Sequence, residues 1–416
     1  MYKFDFSAFE KQGIKRVGEL NPYITLACDL RCRYCYMFNY LAKANNQTEI
    51  MQPEFLLSMA EYFAKYSGGL DRMTLLGGEP TLHPTITQIC NEAGNLPIKE
   101  LRMTTNGIGT HCLDLDKLNP GVFDHISISI DGVDSQTNDA TRGKGAFDRI
   151  IHTIGLYKQA GIPVSINYTV TNKNIRALRD IIPFFADKGV SIINLHRASL
   201  DGNAYSNQDI LVDAQSWVVA RDDLFSFIKE KGGSYPNLKI RVSYTFLTQE
   251  QIGYLGYVPI QEQNYHSPQG GHRLIVFPPT EKGEGLCYMS SDVIGQPNAE
   301  LGKVDENGNF SWNAYDSNEM IAYRRSMSMN VSTDIKGQTE GAETSNLLRV
   351  SHSFKATIDT NRINEFKPIN DVCQSPSYLV NNKSQIATSK GSVDLTPTAP
   401  IQSAPYLSKS PKSSSC

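Results

Sequence analysis

The sequence predicts an α/β fold: a partial (β/α)6 barrel carrying a small β-rich C-terminal extension and a disordered tail. Two observations place the barrel. From Tyr23 to about Ser199, short β-rich runs alternate with runs whose apolar residues recur at helical spacing, the signature of consecutive βα units on a parallel sheet. Six such units can be found, too few to close an eight-stranded barrel, so the sheet is expected to stay open.

The strand segments are Tyr23–Leu26, Arg72–Leu76, Glu100–Thr105, His125–Ile130, Val164–Val170 and Ser191–His196. Between them Pro53–Lys65, Phe147–Ala160 and Ile175–Lys188 have helical periodicity, and Gly161 and Gly189 follow the last two as stop signals. A further helix is expected over Asp213–Lys231, with Trp217, Val218, Leu224, Phe225 and Ile228 on its apolar positions, and a strand over Leu238–Phe246. Gln249–Gly271, rich in Tyr, Gly and Gln, reads as an extended connection. Arg273–Phe277, Gly285–Tyr288 and Leu301–Val304 suggest a small β unit, with Asn307-Gly308 as a turn that tolerates positive φ. Beyond about Tyr378, Ser, Thr, Pro and Lys replace large apolar residues, and a disordered tail is expected. The divisions are therefore an N-terminal extension (1–22), the barrel (23–200), a helix with its connection (201–271), the C-terminal region (272–377) and the tail (378–416).

A formal charge of −3 over 416 residues offers no argument for nucleic acid or an anionic membrane surface. No apolar run reaches membrane-spanning length, and Met1–Phe6 lacks the core of a signal peptide. Eight cysteines in this length do not make a disulfide scaffold, so a reducing cytoplasmic setting is expected.

The segment Cys28-Asp29-Leu30-Arg31-Cys32-Arg33-Tyr34-Cys35 carries the chemistry. Three cysteines in one short loop can converge on a small centre but cannot supply a fourth ligand. Zinc sites normally draw on two cysteine pairs, and no second pair is present. Iron–sulfur clusters are held by thiolates, usually four, so three leave one iron open, and an open metal position is where chemistry occurs.

The spacing CxxxCxxC resembles that of the radical S-adenosylmethionine (SAM) superfamily. Gly77-Gly78-Glu79-Pro80 after Met73–Leu76, Thr104-Thr105-Asn106-Gly107, Ser127–Gly132 (SISIDG) and Asp139–Gly143 with Phe147 are similar to that family's later motifs, over about residues 20–200. The resemblance implies a TIM-like partial barrel with its sites at the strand C-termini. It also implies one 4Fe-4S cluster on Cys28, Cys32 and Cys35, with SAM chelated at the open iron and cleaved by one electron to a 5′-deoxyadenosyl radical. Gly77 and Gly78 would let backbone approach the methionyl amine. Glu79 would face that ammonium or the ribose, and Arg142 the methionyl carboxylate. Ser129, Asp131 and Asn106 would meet ribose or carboxylate oxygens or cap strands, and Tyr34 would stack on or hydrogen-bond adenine. Arg31 and Arg33 would offset cluster charge or be solvated loop residues. His196 and Arg197 end the sixth strand within reach of substrate or adenine.

Many SAM-radical enzymes acting on peptides append a cysteine-rich domain holding further clusters. The stretch Arg273 to Lys303 resembles a degenerate form of it, without the cysteines for a second cluster. A barrel with one cluster and an isolated downstream cysteine is similar to the proteusin-type peptide epimerases. In that reading a Cα hydrogen of a precursor peptide is abstracted and a thiol returns hydrogen with inverted configuration. Cys373 is the favoured thiol and Cys287 the second, while Cys90 reads as core and neither Cys112 nor Cys416 carries a role. Peptide excision, cross-linking and radical chemistry on a small metabolite remain as alternatives. The implied partners are a precursor peptide and a low-potential electron donor such as ferredoxin or flavodoxin, with no nucleic acid and no membrane.

Overall fold

The computed structural model describes residues 16–43, 50–243, 246–248, 272–279, 283–288, 300–312, 347–349 and 355–359, with a few isolated positions besides. The barrel strands are β1 (Val17–Thr25), β2 (Arg72–Gly77), β3 (Leu101–Thr105), β4 (His125–Ser129), β5 (Val164–Val170), β6 (Ile192–Arg197) and β7 (Lys239–Ser243). β8 (His272–Val276), β9 (Gly285–Tyr288), β10 (Gly302–Val304), β11 (Phe310–Trp312) and β12 (Lys355–Asp359) complete a twelve-stranded sheet, in the order β11-β10-β9-β8-β1-β2-β3-β4-β5-β6-β7-β12. β8 and β1 through β7 run parallel; β9–β11 add antiparallel hairpins on one edge and β12 caps the other antiparallel. β7 and β8 do not pair, so the barrel stays open as expected.

Alternation decides which face of each strand is buried. Met73 and Leu75, Leu101 and Met103, Ile126 and Ile128, Ile166 and Tyr168, and Ile193 and Leu195 enter one apolar cluster with the helices. The helices are α1 (Pro53–Ser67), α2 (Ile86–Ala93), α3 (Ser135–Arg142), α4 (Ala146–Gln159), α5 (Ile181–Asp187) and α6 (Ala214–Lys231). In α1, Pro53 occupies the first turn, where its missing N–H costs nothing, and Gly68 closes the helix at φ 68°. Its face Phe55, Leu56, Met59, Ala60, Phe63 and Ala64 is wholly buried, and each large side chain contributes about 1.5–3 kcal/mol.

The structure departs from expectation in four places. β1 begins at Val17, six residues before the predicted start, because Glu19 interrupts the apolar run; its buried carboxylate is neutralised by Arg72 and Arg273. The expected helix Ile175–Lys188 is a 3-10 turn at Ile175–Ala177 followed by α5. Pro183 lacks the N–H a helix running through Arg179 would need, so the helix restarts two residues before it. Leu238–Phe246 is two strands, β7 and Phe246–Thr248, and β7 is part of the barrel sheet. The expected C-terminal β unit is not separate either: β8 pairs with β1, and the hairpins continue from there. Gln249–Gly271, Cys373 and the tail from 378 lie outside the described residues.

Candidate functional site

The C-terminal ends of β1 through β4 meet above the sheet. The chain leaves β1 into the two-residue strand Ala27–Cys28, which pairs with Ala42–Lys43 and so closes the cysteine loop on itself. Within the loop Cys35 N–H donates to the Cys32 carbonyl at 3.2 Å. Asn203 fastens it from a distant segment, its N–H donating to Cys35 O at 3.0 Å and its Nδ2 to Cys32 O at 2.9 Å. Arg31 donates to the carbonyls of Cys28, Leu30 and Ala42, so it folds the loop as well as charging it. Arg33 pairs with Asp209 and donates to Asn207 at 2.9 Å, and a carboxylate therefore offsets its charge.

The two glycines after β2 are explained by this loop. A Cβ on Gly77 would stand 2.5 Å from Thr25 O, and one on Gly78 would stand 2.3 Å from Ala27 O. Without side chains the strand end closes against the segment entering Cys28, with Gly78 N–H donating to Thr25 O at 2.8 Å and Glu79 N–H to Ala27 O at 2.7 Å. The crowding thus comes from the cysteine loop's own backbone, a nearer cause than the ligand approach expected from sequence.

Glu79 is fully buried. Its Oε1 accepts from Thr81 N, Thr81 Oγ1 and Thr105 Oγ1 at 3.1, 2.6 and 2.7 Å, and Oε2 accepts from Asn106 N at 2.6 Å. Burial holds its carboxyl above the usual range despite these bonds, and no ion pair reaches it among the described residues. Asn106 donates its side-chain amide to Asp29 Oδ1 at 2.6 Å, and His111 Nε2 stands 3.2 Å from the other oxygen of Asp29. The cysteine loop, the end of β2 and the end of β3 are thereby tied through Asp29, Asn106 and Glu79.

On the other side Asp131, after β4, is fully buried. It accepts from the Tyr34 hydroxyl, from Thr141 Oγ1 at 3.0 Å and from Thr169 N at 3.0 Å. Arg142, at the last position of α3, forms an ion pair with it at 3.0 Å through Nε, while its Nη2 donates to the Tyr34 hydroxyl at 2.8 Å. Tyr34, Asp131 and Arg142 hold one another, and Asp131 keeps little capacity for anything else. Arg142 Nη1 and the Ser129 hydroxyl make no hydrogen bond among the described residues. His196 is half-buried on β6, and Arg197 donates to Val212 O at 2.8 Å, tying β6 to the segment before α6.

Burial raises all three loop thiols, Cys35 to about 12, and Cys28 and Cys35 are each further raised by Cys32. Such thiols become thiolates only when a metal replaces the lost solvation. Among the described residues no three His, Cys, Asp or Glu side chains converge tightly enough for a single metal ion. A multi-iron cluster takes such thiolates on separate irons. The residues also fit SAM: among the described residues Glu79 lacks a counter-charge that an ammonium would supply, Arg142 has an unspent N–H for a carboxylate, and Ser129 has an unbonded hydroxyl.

Sequence reading missed Asp29 and His111. Asp29 lies inside the cysteine motif and could have been suspected; His111, whose φ of 46° is the one positive value at a non-glycine among the described residues, carried no motif. Asn203 likewise had no local signal. Cys90 is buried in α2 as expected, and Cys112 is exposed. Cys287, on β9, is fully buried in the main apolar cluster, and burial alone raises its thiol.

Residues 23–184 match the family model of the Radical SAM superfamily. A probable GTP 3',8-cyclase of Sulfurisphaera tokodaii is 30% identical over 213 residues, 50% of this chain and 66% of that protein. The mitochondrial GTP 3',8-cyclase of Arabidopsis thaliana is 28% identical over 210 residues, 49% of this chain and 53% of that one. This chain thus spans between about half and two thirds of these relatives' lengths. Among solved structures, Streptococcus suis SuiB bound to SAM aligns with a TM-score of 0.57 at 14% identity, covering 89% of this chain and 80% of SuiB. Native anSMEcpe with bound AdoMet and Kp18Cys peptide aligns at 0.51 and 15%, covering 88% and 99%. At these identities the two structures speak for the fold. The match identifies residues 23–184 as a radical SAM domain, and that superfamily implies a 4Fe-4S cluster and SAM as cofactors.

Proposed function

We propose that this radical SAM enzyme removes a Cα hydrogen from a precursor peptide and inverts that centre. When bound, the cluster would relay one electron to SAM, and SAM would supply the 5′-deoxyadenosyl radical that takes the hydrogen. Cys28, Cys32 and Cys35 hold the cluster; Glu79 receives the methionyl ammonium, Arg142 Nη1 the carboxylate, Ser129 and Asn106 the ribose. Gly77 and Gly78 keep the strand end against the cysteine loop. Asp131 acts by fixing Tyr34, which borders adenine, and Arg142. The observation that carries the SAM assignment is Glu79, a fully buried carboxylate with four neutral donors and no ion pair among the described residues.

Cys373 is the hydrogen donor in this reading, favoured over Cys287 because the latter is sealed in the apolar core. SuiB, which shares the fold, has been crystallised with its precursor peptide SuiA. A ferredoxin- or flavodoxin-like donor is the electron source, both for SAM cleavage and, with one proton, for returning the Cys373 thiyl left by hydrogen donation to the thiol. In deuterium oxide, one deuterium should enter each inverted Cα, and Cys373→Ala should abolish inversion while 5′-deoxyadenosine still forms. Unchanged inversion in that variant removes Cys373 from the reaction.

A second reading, radical chemistry on a small polar metabolite, is favoured by the curated relatives named GTP 3',8-cyclases. It predicts 5′-deoxyadenosine formation stimulated by a nucleotide and not by peptide. No helix among the described residues is long and apolar enough to cross a membrane.

A further inference from the structure

The inner face of the sheet is polar where the outer face is apolar. Strand register places Ser129 on β4 opposite Asn167 on β5, Asn167 opposite Asn194 on β6, and Asn194 opposite Arg241 on β7. Ile240 and Val242, on either side of Arg241, are fully buried in the helix-covered cluster, so alternation turns Arg241 inward. Asn194 donates to Ile166 O at 3.2 Å and to Asn167 Oδ1 at 3.0 Å. The Asn167 side-chain N–H groups are unspent among the described residues. Arg241 makes no hydrogen bond or ion pair among them.

Carboxylates lie near Arg241, but other groups occupy them. Glu19 holds Arg72 at 2.7 Å and Arg273 at 2.8 Å; Glu100 holds Arg72 at 2.8 Å and Arg102 at 2.7 Å. Asp124 holds Arg102 at 3.2 Å and His125 at 2.6 Å. Burial and Arg102 push His125 down to about 4, so it is neutral at pH 7. Counting Arg241, four guanidinium groups face three carboxylates. The excess charge stays on Arg241, whose fork of donors matches a carboxylate or a phosphate.

We infer that Arg241, with Asn167 and Asn194, forms a subsite inside the barrel for an anionic oxygen group of the substrate. This rests on the reading that a substrate enters the barrel, and it adds that this substrate carries a carboxylate or a phosphate. Neither the cysteine loop nor the Tyr34–Asp131–Arg142 group takes part in it.

The test is isothermal titration of inorganic pyrophosphate, and separately of malonate, into the reconstituted full-length holoenzyme with SAM at constant ionic strength. One of the two should bind the wild type, a preference for pyrophosphate pointing to a phosphorylated substrate and one for malonate to a carboxylate. Arg241→Gln should weaken that binding at least tenfold, and Asn194→Asp, which keeps Arg241 but adds a repelling charge, should weaken it too. Lys65→Gln, on the exposed side of α1, serves as the control for bulk charge. Binding of neither anion to the wild type, equal binding by Arg241→Gln, or an equal loss in Lys65→Gln overturns the subsite. Formation of 5′-deoxyadenosine by the reduced wild type is read separately, and its absence would count against the radical reading and not against the anion site.

Discussion

Replacing Gly78 by Ala should uncouple the cysteine loop from the barrel. The added Cβ would meet Ala27 O at 2.3 Å, Ala27 C at 2.7 Å and Leu26 O at 2.8 Å, all backbone atoms of the segment entering Cys28. Ordinary contact begins near 3.4 Å, so that backbone must withdraw by about 1 Å. Overpacking of this kind costs about 1–3 kcal/mol. The retreat also strains Gly78 N–H to Thr25 O and Glu79 N–H to Ala27 O, at about 1 kcal/mol each. The sum, about 3–5 kcal/mol, is a large part of the ~5–15 kcal/mol that holds a typical domain together. Thermal melting of the apo protein and iron content after anaerobic reconstitution are the assays. Gly155→Ala is the internal comparison: nothing lies within 4 Å of its Cβ position, and a mid-helix Gly to Ala change should stabilise by about 0.5–1 kcal/mol. A Gly78→Ala protein that melts with the wild type and takes up full iron would refute the claim that this glycine closes the strand end on the loop.

Other residues give sharp outcomes. Tyr34→Phe removes one hydroxyl shared by Asp131 and Arg142 and should cost about 1–3 kcal/mol, whereas Asp131→Ala strands a buried guanidinium and should cost about 3–5 kcal/mol; equal melting losses would show that the ion pair contributes nothing beyond the hydroxyl. His125 is held neutral in the folded chain at a value of about 4, first by burial and then by Arg102, while the unfolded chain takes up a proton below about 6.5. Its contribution is therefore present above pH ~6.5 and is lost as pH falls toward 4, amounting to about 3 kcal/mol at most. Melting curves of wild type and His125→Asn at pH 7 and pH 4.5 should converge at the lower pH, and a constant gap would rule this out. Asp29→Ala, which takes the acceptor from Asn106 and the partner from His111, should lower SAM affinity measured by equilibrium dialysis; an unaltered affinity would confine Asp29 to packing.

Much of the architecture was readable in the chain because its determinants are local. Alternating apolar residues in Arg72–Leu76 and Val164–Val170 named strands that match β2 and β5 closely, and helical spacing with Pro53 in the first turn named α1. Reading failed where a distant partner reverses a local signal. Glu19 looks like a break in β1 until Arg72 and Arg273 arrive from elsewhere in the sheet to neutralise it. Arg241 sits in a segment predicted as a simple strand, and nothing nearby in sequence says that β7 joins the barrel.

By itself the sequence determined the chemistry-bearing groups: three cysteines too close together to take a fourth, and the motif residues that come to rest at strand ends. Composition, periodicity and short spacings suffice for that, since they act over a few residues. Only the tertiary structure decided what those groups do to one another. It turned Gly77 and Gly78 into the contact that closes the cysteine loop, and tied Asp131 to Tyr34 and Arg142. It also left Arg241 facing an occupied ring of carboxylates. Each of these depends on burial and on strand register, and both arise from partners tens to hundreds of residues apart that no local pattern encodes.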